Sequence, residues 1–438
     1  MSFRYKSRVL AVGLTTAVAL LAGCGAGSRV AEGGGAQQVP CDVEVPEGDT
    51  TVNVLAYNSS AIDPFTNTMV SSCTKDGLTV KHDPIDFAGQ VQRTQATLAG
   101  ETGTFDIVET YGFVIPTYAA EEKLMPLDDL FAKYEQQYGL DGLNQEMLDA
   151  MSYEGTLYAL PMQAQVFVMA YREDVFEDLG LQPPATFAQL REAAETIQQA
   201  GMMEHPVALP WLASSDIVTA YDAAMGSLGS DLVDHGAGRP NFDTPVAAQA
   251  LEELESLKPY MDPQVTTFDQ PAVQQQMYNG DAAISIMFSG RMTDLTNPDN
   301  SQYADRIGFA APPAVEEGGK QYSALSVDGW SIPANTKADP DLLFQLMAVS
   351  VGQEASEAAV PAAYPAREGV VTPENSPYAD AANDAISSAP PAEPYPYTSL
   401  ISNAITPTVA DVLTGKIEPA EGTRRMQDSA TRILQDTP

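Results

Sequence analysis

The sequence is poor in the side chains that most often carry catalysis. Among its 438 residues there are three histidines, His82, His205 and His235, and three cysteines. None of the histidines forms an HExxH pair or lies beside a cysteine at metal-ligand spacing. A Gly-x-Ser-x-Gly elbow and a phosphate-binding loop are also absent from the sequence. We therefore expect no enzyme activity, no cofactor and no metal site.

Positive charge is scarce as well. Lysine and arginine number 22 against 59 aspartates and glutamates, which gives a formal net charge of −37. A field of this sign repels phosphate, so nucleic acid is not an expected partner. With so many acids, chance pairs of carboxylates are common, and most are expected to be solvated surface.

The N-terminus carries the only long apolar run, residues 9–22, after the basic residues Arg4, Lys6 and Arg8. The run is too short for a confident membrane span and is typical of a secretory signal. Its end, "LAGC", looks like a bacterial lipobox. We predict a signal peptide over 1–23, a lipidated Cys24, and a flexible tether over 24–44 that holds the protein on the extracellular face of the cell membrane. The alternative is an uncleaved anchor helix with a chance cysteine.

The two remaining cysteines are Cys41 and Cys73. An even pair in an exported chain predicts a disulfide, which would stabilise the fold by roughly 3 to 4 kcal/mol for a loop of this size. Two buried thiols are the alternative.

Strands and helices alternate at the start of the folded part. Strands are predicted over 50–57, 78–85 and 105–110, with helices over 63–74 and 90–99, a pattern typical of a mostly parallel α/β sheet. Such sheets bind ligands beyond the carboxyl ends of their strands. Those ends carry aromatic, amide and hydroxyl side chains, the groups that stack on sugars and bind their hydroxyls.

Later segments carry clear helix signals. Thr186 and Gln189 form a capping box, Pro245 lies just inside a helix start, and Gly280 ends a third helix. Residues 373–396 are rich in proline and alanine and are predicted to form a long surface connection.

Several blocks of sequence, in this order, resemble a known family. They are "YEGTLYALPM" (153–162), "MAYREDVFEDLGLQPPATFAQL", "MYNGDAAISIMFSG", "IGFAAPP", "DGWSIPANTKADPDLLFQLM" and "VPAAYPAREGVV". The resemblance is to the extracellular solute-binding proteins of carbohydrate ABC transporters, the group that includes maltose-binding protein. It runs over nearly all of residues 50–436.

The resemblance implies an α/β, two-lobed periplasmic-binding-protein fold (type II), with discontinuous lobes joined by a hinge. Lobe 1 is expected to take 45–158 plus 330–370, and lobe 2 to take 159–329 plus 371–436. Residues 153–165 would be part of the hinge. The expected partners are a small carbohydrate or polyol in the interlobe cleft and the permease subunits of an ABC importer, and the protein is expected to be a monomer.

Positions that match the family's blocks give a candidate ligand-binding set. Trp330 could instead pack in the hinge, and Arg291 and Arg367 could form surface salt bridges. The predicted ligand-binding residues are Tyr57, Asn58, Ser59, Thr110, Tyr111, Phe113, Gln163, Gln165, Phe288, Arg291, Asp328, Trp330, Tyr364, Arg367, Tyr395 and Tyr397.

The resemblance extends to members that bind sugar alcohols, but with two departures. Those members usually carry an acid where Gln165 stands and a tryptophan where Tyr118 stands, so the exact ligand stays open. A glycerophosphodiester or a peptide is an alternative cargo. An exported enzyme acting on cell-wall glycan and a purely structural surface protein are the competing classes.

Overall fold

The computed structural model describes residues 38–389 and 393–436. The predicted signal peptide, Cys24 and most of the predicted tether lie outside these residues. Within the described part, no helix is both long enough and apolar enough to span a bilayer.

Thirteen strands are described, and the first three correspond to the strands predicted over 50–57, 78–85 and 105–110. The first is shorter than predicted and ends at Leu55, which leaves Tyr57 in the loop beyond it. The strands are β1 (Thr50–Leu55), β2 (Leu78–His82), β3 (Ile107–Tyr111), β4 (Ser152–Tyr153), β5 (Thr156–Leu157), β6 (Leu160–Arg172), β7 (Val207–Ala208), β8 (Val233–Asp234), β9 (Arg239–Pro240), β10 (Ile284–Phe288), β11 (Ile307–Ala310), β12 (Leu325–Ser331) and β13 (Tyr364–Pro365).

Sixteen α-helices surround the strands. The predicted helix over 63–74 is interrupted, because α1 continues as a π-helical turn over Thr68–Ser72. The helices are α1 (Asp63–Asn67), α2 (Phe87–Ala99), α3 (Ile115–Ala120), α4 (Asp128–Tyr138), α5 (Gln145–Ala150), α6 (Glu173–Leu179), α7 (Phe187–Gln199), α8 (Asp216–Ser227), α9 (Pro245–Glu255), α10 (Gln270–Asn279), α11 (Met292–Leu295), α12 (Pro340–Ser350), α13 (Gln353–Ala359), α14 (Ala379–Ser388), α15 (Tyr397–Leu413) and α16 (Pro419–Asp436).

The strands form one long sheet in the order β2-β1-β3-β12-β6-β10-β7, with β11 and β13 also paired to β6. The first three are parallel, as the strand–helix alternation predicts. By contrast, β12 runs antiparallel to both of its neighbours, β3 and β6.

The longest strand, β6, joins the two halves of the molecule. Its first part, up to Val166, pairs with β12, and its second part, from Phe167 onward, pairs with β10 and β11. Only one residue of its thirteen, Tyr171, is not buried. A strand that is buried on both faces usually reads as an apolar run, and here that run is interrupted by Gln163 and Gln165.

Two large hydrophobic cores lie on either side of the point where β6 changes its pairing from β12 to β10 and β11. The first core surrounds Trp330, Phe65 and Phe344 and takes its residues from 39–164 and 327–366. The second core surrounds Trp211 and Tyr221 and takes its residues from 167–430. Each lobe thus buries its own apolar side chains, and few contacts other than the crossing strands are needed to join them.

Local signals behave as the sequence predicts in several helices. The Thr186 hydroxyl accepts a hydrogen bond from the Gln189 amide at 3.2 Å, and the Gln189 side chain reaches back to the amide of Ala185 at 2.8 Å. Gly280 ends α10 in the left-handed conformation with φ 75°, which glycine adopts without strain.

Cys41 and Cys73 form a disulfide, with their Cα atoms 5.2 Å apart. The bond ties the segment before β1 to the end of the helical turn that follows α1. Cys73 is fully buried in the first core.

The prediction for residues 373–396 is wrong in one respect. They contain the helix α14, all four of whose alanines, Ala379, Ala381, Ala382 and Ala385, are buried. Alanine is both the best helix former and small enough to let a helix lie close to a sheet, and α14 packs against β6 and β11.

Candidate functional site

A large cleft, with a volume of about 2710 Å³, separates the two lobes. It lies beyond the carboxyl ends of β1 and β3, where the strand order predicts a ligand. The cleft brings together ten of the sixteen predicted ligand-binding residues. They are Tyr57, Asn58, Ser59, Thr110, Tyr111, Phe113, Gln165, Phe288, Arg291 and Asp328.

A ladder of four aromatic rings covers the lobe 1 wall. Tyr57, Phe87, Tyr111 and Phe113 follow one another with each pair of neighbouring ring centroids 5.5 Å apart. The last two rings are stacked, with an interplanar angle of 9°. The outer rings, Phe87 and Phe113, are 41% and 46% exposed. Rings held in this way present apolar faces on which the CH surface of a sugar can stack.

Exposed apolar side chains concentrate in this cleft. Four large hydrophobic residues are exposed in the described part of the chain, namely Phe87, Phe113, Met202 and Leu400, and all four line the cleft. Soluble proteins usually bury such side chains, and an exposed cluster marks a binding surface.

The floor of the cleft is a polar network between β6 and β12. Gln165 donates from Nε2 to Asp328 Oδ2 at 2.5 Å, and the same amide group lies 3.0 Å from the Tyr57 hydroxyl, which accepts. Ser326 donates to the other carboxylate oxygen of Asp328 at 3.0 Å. Burial raises the pKa of Asp328 to about 6 in spite of these hydrogen bonds.

Glu109 stands beside this network and is fully buried. Its Oε2 accepts a hydrogen bond from the backbone amide of Tyr57 at 3.0 Å, whereas Oε1 has no partner among the described residues. Burial, and after it the charge of Asp328, raises the pKa of Glu109 well above its usual range.

The lobe 2 wall carries Phe288, the last residue of β10, and Arg291, which follows that strand. The Phe288 ring lies 4.8 Å from that of Phe167, and its backbone amide donates to Gln270 at 3.2 Å. Arg291 forms no ion pair with any described residue, so its guanidinium is free to meet a ligand. Gly290 between them approaches lobe 1 closely, since a Cβ there would lie 2.9 Å from the Cβ of Ala61.

Acids also line this wall. Burial raises the pKa of Asp216 to about 6, and burial together with the charges of Glu393 and Asp231 raises that of Asp222 to about 7. Asp294 accepts a hydrogen bond from Ser60 of lobe 1 at 2.9 Å.

A second polar contact between the lobes lies near α3 and α15. The Thr117 hydroxyl is 2.8 Å from the Ser399 hydroxyl and donates to the carbonyl of Pro396 at 2.8 Å. Each of these hydrogen bonds between the lobes contributes only about 1 kcal/mol. Breaking such contacts would cost little during a hinge motion of the lobes.

Six predicted residues do not line the cleft. Gln163 is fully buried behind the floor and donates to Asp328 at 3.1 Å, and Trp330 belongs to the first core. Tyr364 pairs through β13 with β6 and donates to Asn383 at 2.5 Å. Residues near the cleft but outside its lining are Tyr395 and Tyr397, whose rings stack on each other and on His235.

Arg367, the sixth, is built into lobe 1. Its guanidinium donates to the carbonyls of Gly139 at 2.9 Å, Val351 at 3.3 Å and Tyr138 at 3.4 Å. These carbonyls include the end of α4, where a cation also meets the negative end of the helix dipole. The placement assigns Arg367 a structural role, which differs from both sequence interpretations, a ligand contact and a surface salt bridge.

Sequence reasoning missed Phe87 and the acids of the cleft. The signal for Phe87 was present, since it follows the end of β2 as Phe113 follows the end of β3, but the predicted helix began only at Gln90. The acids Asp63, Glu109, Asp216 and Asp222 carry no motif, and in a chain with 59 acids they cannot be separated from solvated ones.

Within the described part of the chain, no group of three or more histidine, cysteine or acidic side chains is placed to hold a metal ion. The cleft therefore offers ring faces, amides, hydroxyls, carboxylates and one guanidinium, which is the chemistry of non-covalent binding.

Comparison with known proteins decides the family. Residues 73–357 match the family described as bacterial extracellular solute-binding protein, and this match covers more than half of the chain. The chain belongs to this family. Its curated relatives include the mannitol-binding protein of Pseudomonas aeruginosa, which is 28% identical over 255 residues, or 56% of each chain. The chain spans less than two thirds of the length of the curated relatives it matches.

Solved structures show the same fold. Maltose-bound MalE3 of T. maritima has a TM-score of 0.79 and 17% sequence identity, with 87% of this chain and 99% of that chain covered. An ABC transporter solute-binding protein of Agrobacterium vitis with bound D-mannitol has a TM-score of 0.76 and 21% identity, with 88% and 98% covered.

These findings confirm the predicted two-lobed, type II α/β fold. Family membership also confirms that the protein is a solute-binding protein and not an enzyme. The family is extracellular, in agreement with the exported location that the N-terminal sequence predicts.

Proposed function

We propose that this solute-binding protein captures a sugar or sugar alcohol in the interlobe cleft and delivers it to the permease of an ABC importer, while a lipid on Cys24 holds it at the outer face of the membrane. The observation that carries the proposal concerns the four large hydrophobic side chains that are exposed among residues 38–389 and 393–436. All four lie in the cleft, two of them as the outer rings of the aromatic ladder.

Rings alone would suit many apolar ligands, so the polar groups beside them matter. Asn58, Gln165 and Asp328 adjoin the ladder and supply acceptors and donors at short spacing. A polyol presents both apolar CH faces and dense hydroxyls, and it can satisfy both kinds of group at once. The mannitol-binding relative and the mannitol-bound structural neighbour support the same class of ligand.

A phosphate-bearing cargo such as a glycerophosphodiester is disfavoured by charge. The described lining of the cleft holds one arginine and no lysine, and it carries acids on both walls. Anions are bound by arginine, lysine and helix N-termini, so a phosphate in this cleft would be repelled.

A thermal-shift screen tests the ligand class. Mature protein is heated with pentitols, hexitols, mono- and disaccharides, with glycerophosphocholine and a tripeptide as the rival cargoes. A ligand that binds only the folded state raises the melting temperature, and at a hundred times its dissociation constant it adds about 2.7 kcal/mol. Stabilisation by a carbohydrate, confirmed by calorimetry, is the expected result. Stabilisation by the peptide or phosphodiester alone would reject the proposal.

Membrane anchoring and delivery are tested separately. Mass spectrometry of the protein from its native membrane should find a diacylated Cys24 as the first residue, and Cys24→Ala should release the protein into the medium. Unmodified Cys24 in the mature chain would contradict the anchor. Uptake of the identified ligand should fall in cells that lack this protein.

A further inference from the structure

The cleft is far more acidic than the chain as a whole. Its described lining contains fifteen aspartates and glutamates and a single arginine, Arg291, whereas the whole sequence has 59 acids and 22 basic residues. His205 is the only other side chain of the lining that can carry a positive charge. The excess of acid at the site is therefore not explained by the composition of the protein.

The deep acids of the cleft lack basic partners. None of Asp63, Glu109, Asp216, Asp222, Asp294 and Asp328 forms an ion pair with a described residue. Buried or half-buried carboxylates that are not paired raise the free energy of the folded protein. A cleft that holds several unpaired carboxylates is complementary to a ligand that carries a positive charge.

Glu109 provides the most specific observation. It is fully buried in the lobe 1 wall, one carboxylate oxygen is held by the amide of Tyr57, and the other, Oε1, has no partner among the described residues. Buried polar atoms are almost always hydrogen-bonded, and the strongest partner for a carboxylate oxygen is an N–H group that carries positive charge.

The rings beside Glu109 favour the same kind of ligand. Tyr57 and Tyr111 both belong to the aromatic ladder, and the backbone amide of Tyr57 donates to Glu109 Oε2 at 3.0 Å. Ring faces attract ammonium groups through their quadrupole, and a buried carboxylate beside ring faces is a combination that binds amines. Burial raises the pKa of Glu109 and of Asp328 because a charged carboxylate is unfavourable there, and a positive charge beside them offsets that cost. A neutral hydroxyl could also donate to Oε1, but it would not offset this cost.

We propose that the preferred ligand is a sugar or sugar alcohol in which a protonated amine replaces one hydroxyl, and that this amine binds against Glu109 on the lobe 1 wall. The inference rests on the proposed function and narrows its class of ligand. A neutral polyol would use the same rings and amides, but it would leave Glu109 Oε1 without a charged donor.

Matched ligand pairs test the inference on the wild-type mature protein by isothermal titration. The pairs are D-sorbitol with 1-amino-1-deoxy-D-sorbitol, and D-glucose with D-glucosamine and N-acetyl-D-glucosamine. We expect the amine to bind at least tenfold more tightly than its hydroxyl counterpart, the N-acetyl compound to lose this gain, and 0.5 M NaCl to reduce it, because salt screens charge.

The outcomes separate the inference from the proposed function. If the neutral compounds bind and the amines gain nothing, the inference is overturned and the proposed function stands. If 1,4-diaminobutane binds as tightly as the amino alcohol, the amine site stands but the carbohydrate assignment fails. If none of these compounds binds, the inference is rejected, and the thermal-shift screen decides the proposed function.

A pair of variants locates the amine site. Glu109→Gln keeps the shape of the side chain and removes its charge, and it should abolish the tenfold preference for the amine. Glu177→Gln, on an exposed face of α6 outside the cleft, is the matched control and should keep the preference. Circular dichroism checks that the Glu109→Gln protein is folded. If the folded variant keeps the full preference for the amine, the assignment to Glu109 is contradicted. If the variant does not fold, the matched ligand pairs alone decide the inference.

Discussion

Pro161 of β6 and Gly329 of β12 face each other where the pairing of the two strands is irregular. Asp328 pairs with Gln163, but Gly329 pairs with Pro161, so Met162 is an extra residue on β6. Proline has no amide hydrogen for the ladder and is tolerated at such a bulge. The irregularity lies directly beside Asp328, the central acceptor of the cleft floor.

Gly329→Ala should destabilise the protein by about 2 kcal/mol or more, because a Cβ at this position would lie 2.7 Å from the carbonyl oxygen of Leu160, a backbone atom that cannot move aside. Urea unfolding measures the effect. Gly236→Ala is the matched control, since its Cβ would meet only a side-chain oxygen of Asp234 at 3.4 Å. Equal stability of the two variants would show that β12 can relax at the bulge.

Phe113→Ala should weaken ligand binding about tenfold and leave the free energy of unfolding nearly unchanged. The ring is 46% exposed, so its removal costs little packing, while stacking on a ligand is lost. Phe87→Ala should act in the same direction. Calorimetry with the ligand found by the thermal-shift screen gives the affinity. Phe113→Leu keeps apolar area without a ring, and if it binds as tightly as wild type, stacking is not the source of the affinity.

Arg367→Met should lower the free energy of unfolding by about 3 kcal/mol, because three backbone carbonyls in lobe 1 lose a charged donor. Ligand affinity at a temperature where the variant is folded should stay within twofold of wild type. The comparison is made by urea unfolding and calorimetry. A large loss of affinity without a loss of stability would restore Arg367 to the ligand-binding set.

Asp222→Asn should stabilise the protein at pH 8 and not at pH 4. Burial and two nearby acids raise the pKa of Asp222 from 3.8 to about 7, so the folded state holds this proton more tightly than the unfolded chain does. Its ionisation therefore lowers stability between these values and the full penalty is present above pH 7. Because Asp222 is partly exposed, we expect about 1 to 2 kcal/mol.

Thermal unfolding at pH 4, 6 and 8 measures this pH dependence. Asp178→Asn, at an exposed position on α6, is the control and should change stability little at any of the three pH values. A stabilisation by Asp222→Asn that is the same at pH 4 and pH 8 would show that charge is not its cause.

Much of lobe 1 could be predicted because its signals are local. The alternation of strands and helices from β1 to β3, the capping of α7 by Thr186 and the left-handed Gly280 after α10 each depend on a few neighbouring residues. The aromatic and amide side chains at the ends of β1 and β3 follow from the same alternation. Phe87 was missed only because the start of one helix was placed three residues late.

Other predicted ligand-binding residues do not line the cleft, because their positions depend on distant parts of the chain. Arg367 lies in a matching sequence block and Gln163 directly follows one. Nothing in these blocks indicates that Arg367 caps α4 from 229 residues away along the chain or that Gln163 lies behind Asp328. Glu109 is one of 59 acids in the sequence, and only the packing of β3 against β12 shows that it is buried.

The sequence by itself determined the type of fold, the exported binding-protein class and the positions at strand ends that meet in the cleft, since periodicity, capping and ordered motifs are properties of short segments. The tertiary structure alone decided which polar residues line the cleft, which support it from behind, and which carboxylates are left without a partner. Burial and charge depend on what the folded chain places around a side chain, and segments such as β3 and β12, which meet at Glu109, are far apart in the sequence.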